Sequence, residues 1–200
     1  MTIVGVLLAA GSATRFGGDK LLSELADGQC IAGIACARLR PAVDRLLAVV
    51  RPEATALAAR LAAAGAEICT FAGADQGMGA SLAYGVRQAP DADGWLVALA
   101  DMPGIATADA LRVAAALRAG APIAVPCAHG RRGHPVGFAQ TYGAALMTLR
   151  GDEGARSVLT QNAAAIVDIA AAPEADWQDI DCADDLARAR QSFANASARR

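Results

Sequence analysis

A single lysine ends a glycine-rich stretch near the start of the chain. Lys20 is the only lysine among 18 lysine and arginine residues, and Arg15 lies five positions before it. The stretch reads LAAGSATRFGGDK at 8–20 and overlaps the end of an apolar run at 3–8. An ammonium is a compact point charge, whereas a guanidinium is a planar fork. Backbone amides in such a turn can face anionic oxygens, and the two cations would neutralise a triphosphate.

Neither of the two common nucleotide-binding motifs is present in this stretch. A P-loop requires Gly-Lys-Ser/Thr, but here Asp19 separates Gly18 from Lys20. The GxGxxG fingerprint of dinucleotide-binding folds is also absent. Taken alone, the loop is therefore also compatible with an ordinary connection between a strand and a helix.

Two aspartates stand where a metal ion could bind beside a phosphate. Asp101 directly follows the apolar run 95–100, and Asp181 ends an Asp-Ile-Asp sequence at 179–181. Magnesium prefers oxygen ligands and is commonly held by one or two carboxylates together with substrate phosphates. The alternative for each aspartate is a helix N-cap, because both precede predicted helices.

Small residues at 77–81 form a second candidate nucleotide contact. The sequence Gly-Met-Gly-Ala-Ser precedes a predicted helix, and Gly79 allows the close approach of a planar base. The hydroxyl of Ser81 can donate and accept hydrogen bonds, which recognition of a pyrimidine edge requires. The alternative is an ordinary serine in the first turn of a helix.

Two later segments are candidate walls for a second substrate. Residues 131–136 combine arginines, a turn and His134, and residues 151–156 contain Asp152 and Arg156 at a predicted helix start. Such a start attracts anions, and Arg156 adds a full positive charge. A solvated loop, an N-capped helix and a structural histidine are the alternatives.

The elements that position these residues alternate along the chain. Nearly continuous apolar strands between alanine-rich helices predict an α/β fold with a doubly wound, mostly parallel sheet flanked by helices. Ligands in such folds lie beyond the carboxyl ends of the strands. The predicted strands are 2–9, 45–50, 66–71, 94–100, 123–126 and 165–169. The predicted helices are 30–39, 53–64, 80–88, 106–118, 141–149, 155–161 and 183–194.

The composition excludes several other functional classes. We expect a single domain at 1–194 and a polar tail at 195–200, since 200 residues suit one domain. A net charge of -2 gives no reason to expect nucleic acid or membrane binding. The five cysteines are expected to be free thiols, and with the two histidines they form no zinc pattern. Without a signal-peptide pattern, we expect a cytoplasmic protein.

Six motifs in this order resemble the MobA-like nucleotidyltransferases, and among them the molybdenum cofactor cytidylyltransferases. The resemblance covers about residues 3–190. The motifs are LAAGSATRFGGDK (8–20), GMGASLAYG (77–85), LADMP (99–103), GRRGHPVGF (130–138), GDEGAR (151–156) and DIDCADDL (179–186). The resemblance implies a Rossmann-like nucleotidyltransferase fold. It also implies an enzyme that joins a nucleoside triphosphate to a phosphorylated acceptor and releases pyrophosphate.

The same resemblance implies a role for each candidate residue. Nucleotide contacts would come from Leu8, Ala9, Ala10, Gly11, Arg15, Lys20, Gly79 and Ser81. Catalysis would rest on Arg15, Lys20 and Asp101, with Mg²⁺ held by Asp101 and Asp181. The acceptor, a molybdopterin-type cofactor, would meet His134, Asp152 and Arg156. The nucleotide part would span about 1–105 and the acceptor part about 106–194, with a molybdoenzyme or its chaperone as a further partner.

The identity of the base and of the acceptor stays open at this level. Guanylyl-transferring relatives tend to carry Gly-Gly where this chain has Ala10-Gly11, so a methyl group at Ala10 favours CTP over GTP. Met102 and Cys182 replace residues usual in the family motifs, and neither replacement removes a proposed charged ligand. The alternatives are GTP as the donor, a different phosphorylated acceptor, and a cofactor-binding chaperone without activity.

Overall fold

A computed structural model describes residues 1–11, 19–26 and 28–197, which contain ten strands and seven α-helices. Arg15, predicted to bind phosphate, lies outside these described residues. The strands are β1 (Ile3–Leu8), β2 (Glu24–Ala26), β3 (Gln29–Cys30), β4 (Arg45–Val50), β5 (Glu67–Thr70), β6 (Gly94–Leu99), β7 (Ile123–Ala128), β8 (Arg131–Arg132), β9 (Val136–Ala139) and β10 (Ile166–Ala170). The helices are α1 (Ile31–Leu39), α2 (Thr55–Ala63), α3 (Met78–Arg87), α4 (Thr107–Arg118), α5 (Gly143–Met147), α6 (Arg156–Gln161) and α7 (Ala183–Ser197).

The main sheet has eight strands and is mostly parallel. Its order is β10-β7-β9-β6-β1-β4-β5, and β8 pairs with β7 at one end of that strand. Strand β1 pairs in parallel with β4 on one side and with β6 on the other. The predicted doubly wound, mostly parallel sheet is therefore confirmed.

Alternate residues of the central strands supply two separate cores. In β1, Ile3 and Leu7 pack with helices α1, α2 and α4 in one hydrophobic cluster. Val4, Val6 and Leu8 pack with α3, α5 and α6 in the other cluster. Successive side chains of a strand point to opposite faces, so an apolar strand requires helices on both sides.

The sequence prediction missed four short strands. Strand β9 lies between β6 and β7 and runs antiparallel to both. Strands β2 and β3 form a separate antiparallel hairpin. Each missed strand has two to four residues. So short a run carries little periodic signal, and its pairing is decided by distant parts of the chain.

The termini of the central strands set the position of the site. The residues after β1, β4 and β6 lie at one edge of the sheet, since these three strands are parallel neighbours.

None of the described helices is both long and apolar enough to cross a membrane.

Candidate active site

A large cavity opens at the carboxyl edge of the central strands. Its volume is about 990 Å³, which is the size of a small-molecule site. The predicted residues in its wall are Leu8, Ala9, Ala10, Gly11, Lys20 and Ser81. Three of the predicted carboxylates also line it, Asp101, Asp152 and Asp181, together with the unpredicted Asp19, Glu53 and Asp75. Most of the predicted nucleotide contacts therefore meet in one place, as expected for this fold.

The ammonium of Lys20 lies between the two predicted metal ligands. Its Nζ donates to Oδ2 of Asp101 at 2.9 Å and to Oδ1 of Asp181 at 3.0 Å. The Lys20 side chain is only 11% exposed, whereas that of Asp181 is half exposed. Lys20, Asp101 and Asp181 thus form one charged cluster, although the two aspartates follow the lysine by 81 and 161 positions in the chain. Both aspartates face a cation, and neither carboxylate is used as a helix cap in the described contacts.

Local structure that begins at Lys20 and continues after it fixes the position of the lysine. Lys20 begins a short 3-10 helix, Lys20–Leu22, whose residue Leu21 is buried in the hydrophobic core. The next segment is the β2–β3 hairpin, where the Glu24 carbonyl accepts a hydrogen bond of 2.9 Å from Nε of Arg190. Because Arg190 belongs to α7, this contact joins the lysine segment to the helix that follows Asp181.

Asp181 is positioned by its neighbours in the chain. The Ile180 side chain is buried, and its N–H donates to the backbone carbonyl of Asp101 at 3.1 Å. The N–H groups of Asp181 and Cys182 both donate to Oδ2 of Asp185, at 3.0 and 2.8 Å. An acid in the first turn that reaches back to the start of its helix is a common cap. Asp185 therefore caps α7 and leaves the Asp181 carboxylate free for Lys20.

Electrostatics keep the lysine charged. Burial lowers the pKa of Lys20, but the charges and hydrogen bonds of Asp101 and Asp181 outweigh burial and raise it above its ordinary value. Burial, then the charges of Asp181 and Asp101, raise the pKa of the nearby Asp179 carboxyl. Asp179 lines a smaller cavity of about 420 Å³, on the side of loop 179–181 that faces α7. At neutral pH the cluster thus holds a full ammonium beside carboxylates.

The donor set fits a magnesium ion that is also bound by phosphates. Asp101 and Asp181 converge on one ammonium at nearly equal distances, so a single cation can contact both carboxylates. Within the described ranges, no group of three or more acidic, histidine or cysteine side chains is arranged to hold a metal alone. Two carboxylates suffice when substrate phosphates complete the coordination.

The Gly77–Ser81 region packs against the turn at 150–152. The Gly79 N–H donates to the Gly151 carbonyl at 2.7 Å, and the Gly151 N–H donates to the Gln76 carbonyl at 3.1 Å. Gly79 is buried against this backbone, whereas Ser81 lines the cavity. The Ser81 hydroxyl donates to the carbonyl of Gly77, the N-cap residue of α3, at 3.3 Å. The small residues thus bring two distant segments together at the cavity.

We expect Gly79→Ala to destabilise the fold by about 1–3 kcal/mol, as overpacked sites do. A Cβ at Gly79 would lie 2.6 Å from the carbonyl oxygen of Arg150, so backbone must move. Thermal unfolding measures the effect, at about 2–4 °C per kcal/mol for a chain of this size. The matched control is Gly11→Ala, since nothing lies within 4 Å of a Cβ there. Equal melting temperatures for the two variants would contradict this packing role.

The three predicted acceptor residues do not lie together in the described wall of the cavity. Asp152 lines it beside Gly77, within reach of the predicted nucleotide contacts. Arg156 is exposed at the start of α6, and His134 is partly buried next to β9. The Nδ1 atom of His134 lies 3.4 Å from the Val97 carbonyl oxygen. Burial lowers the pKa of His134, so its imidazole is neutral at pH 7.

Sequence reasoning missed several charged residues in the cavity wall, among them Arg51 and Asp75. Arg51 directly follows β4, and Asp75 lies in the 3-10 helix Ala74–Gln76. The available signal was position, because Arg51 follows a buried parallel strand and must lie at the ligand edge of the sheet. Asp75 carries no comparable signal, because it does not directly follow a strand.

Comparisons with known proteins agree with this geometry. The MobA-like NTP transferase domain matches residues 5–166. The purine catabolism protein PucB of Bacillus subtilis (strain 168) is 34% identical over 169 residues, which cover 78% of this chain and 80% of that protein. The crystal structure of Rv0371c from Mycobacterium tuberculosis H37Rv matches with a TM-score of 0.84 and 28% identity, over 95% of this chain and 97% of that one. A structure of Rv0371c in complex with manganese matches with a TM-score of 0.80 and 27% identity, over 96% of this chain and 100% of that one.

Proposed function

The chain belongs to the MobA-like NTP transferase family and is a nucleotidyltransferase, and on this basis we propose that it transfers CMP from CTP to molybdopterin. The acceptor phosphate oxygen attacks the α-phosphorus of CTP and forms a new P–O bond. The bond between the α-phosphorus and the oxygen bridging to the β-phosphorus breaks, and pyrophosphate leaves with the electron pair. No covalent bond to the protein is needed.

One observation carries this proposal. The Nζ atom of Lys20 lies 2.9 and 3.0 Å from two carboxylates, in the wall of a cavity of about 990 Å³ at the carboxyl edge of the sheet. A charged lysine can neutralise phosphate charge directly, and a pair of carboxylates can do so by holding a divalent cation. A cofactor chaperone without activity needs binding surface but no such cluster, so the cluster favours an enzyme.

Catalysis would rest on positioning and on charge neutralisation. The turn at 9–11 offers backbone groups to the nucleotide, and Lys20 turns from Asp101 toward the phosphates when CTP binds. Its ammonium then donates hydrogen bonds to the departing pyrophosphate, and Arg15 is proposed as the second cation. Loss of one such contact typically costs about two to three orders of magnitude in kcat.

Asp101 and Asp181 are proposed to hold Mg²⁺. A bound divalent ion would neutralise phosphate charge and orient the two reacting groups. A structure of the similar protein Rv0371c is a complex with manganese, which supports the use of a divalent ion by proteins of this kind. Within the single proposed domain 1–194, we assign the nucleotide to about 1–105 and the acceptor to 106–194, where His134, Asp152 and Arg156 would meet it.

Pyrophosphate release with each of CTP, GTP, ATP and UTP tests the proposal. Each nucleotide is assayed with and without molybdopterin and Mg²⁺. We expect release only when CTP, molybdopterin and Mg²⁺ are all present. Release with GTP in preference to CTP would assign guanylyl transfer instead, and release with a different phosphorylated acceptor would reassign the second substrate. Tight molybdopterin binding without any release would identify a cofactor chaperone.

Ala10→Gly is expected to raise the ratio of GTP to CTP use, expressed as kcat/KM, by about tenfold or more, since one methyl group in a pocket is worth about 10–200-fold. The Ala10 side chain is buried in the cluster on the α3 face, and the residue lines the cavity. Ala9→Gly is the comparison for the methyl group, because Ala9 lines the same cavity but its side chain packs in the other cluster. A side-by-side turnover assay in which Ala10→Gly keeps the wild-type ratio would remove the methyl group as the discriminating feature.

A further inference from the structure

Arg51 contacts the turn that follows β1. The residue comes directly after β4, the parallel neighbour of β1, and lines the large cavity with a side chain that is 21% exposed. Its Nε donates to the backbone carbonyl of Ala10 at 2.9 Å. This carbonyl belongs to the segment 9–11, which forms one wall of the cavity.

The other end of the same guanidinium contacts the opposite segment. Its Nη2 lies 2.8 Å from Oδ1 of Asp75, in the 3-10 helix that directly precedes Gly77 and α3. A weaker approach of 3.8 Å joins Nη1 to Glu53. A single planar group therefore spans the space between the turn after β1 and the segment before α3.

These contacts add little to stability as ion pairs. The Asp75 side chain is 84% exposed, and ion pairs between exposed side chains contribute little to the free energy of unfolding. The contacts nevertheless constrain the geometry of the cavity, because the donors of a guanidinium are fixed in one plane. Holding Ala10 and Asp75 to one rigid fork fixes the distance between the segments that carry them.

The position of Arg51 in the sheet relates it to the base rather than to the phosphates. The charged cluster of Lys20 and Asp101 lies beyond β6, and Arg51 lies beyond β4, with β1 between them. Two strand spacings amount to about 10 Å. A triphosphate bound at the lysine therefore leaves the nucleoside end of the substrate on the side of Arg51.

We propose that Arg51 is a positioning residue that sets the width of the base slot between Ala10 and Asp75. The inference rests on the proposed function, since it takes this cavity to be the nucleotide site. Arg51 then acts on nucleotide affinity and on the choice of base, and leaves the chemical step to Lys20 and the carboxylates.

Arg51→Lys is the first test, with CTP binding measured by calorimetry and turnover measured by pyrophosphate release. Lysine keeps the charge but offers a single ammonium, which cannot hold both partners in the same geometry. We expect the Kd and KM for CTP to rise about tenfold, with kcat at saturating CTP within about threefold of wild type. Discrimination between CTP and GTP should fall in parallel.

A matched control is available on the same strand. Arg45 begins β4 and makes two hydrogen bonds to Glu67, at 2.9 and 2.7 Å, on the exposed surface outside the cavity. Arg45→Lys should therefore leave the Kd for CTP and the base preference unchanged. A melting temperature for each variant separates loss of binding from loss of folding.

Asp75→Asn keeps the inference testable if Arg51→Lys folds poorly, because Asp75 is exposed. It should raise the Kd for CTP in the same direction by a smaller factor, and the double variant should fall short of the product of the two effects, as coupled neighbours do. Unchanged Kd and base preference in both variants, or an equal change in Arg45→Lys, would overturn the role of Arg51. If the wild-type protein binds no nucleoside triphosphate, the proposed function fails, and the inference fails with it.

Discussion

Asp101→Asn is expected to lower kcat for nucleotidyl transfer by about two to three orders of magnitude, in the range seen when one group that stabilises transition-state charge is lost. The carboxylate accepts a hydrogen bond from Lys20 at 2.9 Å, and it is the proposed ligand of Mg²⁺. Asparagine preserves the shape but has no charge, so it holds a divalent ion weakly. Steady-state pyrophosphate release at several Mg²⁺ concentrations measures the loss.

The control for Asp101→Asn is a carboxylate at the other end of the same sheet. Asp44 accepts a hydrogen bond of 2.7 Å from the Ile3 N–H and pairs with Arg118. Asp44→Asn should reduce stability and leave kcat and the Mg²⁺ titration unchanged. A Mg²⁺ titration of Asp101→Asn that superimposes on the wild-type curve would remove Asp101 from the metal site.

Lys20→Arg is expected to reduce kcat by a similar factor, although it keeps the positive charge. The ammonium fits between Asp101 and Asp181 with 11% of the side chain exposed. A planar fork is larger and presents its donors in fixed directions, so it cannot occupy the same space. Single-turnover kinetics at saturating CTP should show the loss in the chemical step.

Lys20→Met provides the neutral comparison, because it retains a flexible unbranched side chain. In both Lys20→Arg and Lys20→Met, we expect kcat to decrease by at least as large a factor as the affinity for CTP. The reason is that the lysine would act on the departing pyrophosphate. The chain has no second lysine to serve as a control, so folding must be checked by thermal unfolding. Turnover of Lys20→Arg within about threefold of wild type would contradict the assigned role of the ammonium.

The sheet could be predicted because its central strands carry their own signal. Runs such as Ile3–Leu8 and Gly94–Leu99 are almost wholly apolar, which is typical of parallel strands covered on both faces. Strand β9 was missed since its four residues follow a Gly-His-Pro segment and are defined by pairing with β6 and β7. Pairing of this kind depends on tertiary contacts that no local pattern reports.

The site was predictable where chemistry and strand ends coincide. Lys20, Asp101 and Asp181 were identified from residue type and position, and the structure brings them within hydrogen-bonding distance. Arg51 was not identified, because an arginine after a strand has many possible roles until its partners are known. The sequence also assigned Asp152 to the acceptor; the fold puts it in the cavity wall beside Gly77, and its acceptor role stays a prediction.

The fate of labelled phosphorus tests the central claim most directly. The protein is incubated with molybdopterin, Mg²⁺ and CTP labelled either at the α- or at the γ-phosphorus, and the products are separated. The proposed reaction predicts that the α label appears in the molybdopterin product and the γ label in pyrophosphate, and that both products form about two to three orders of magnitude more slowly in Asp101→Asn. Transfer of the γ label to the acceptor, or its release as inorganic phosphate, would contradict nucleotidyl transfer at this site.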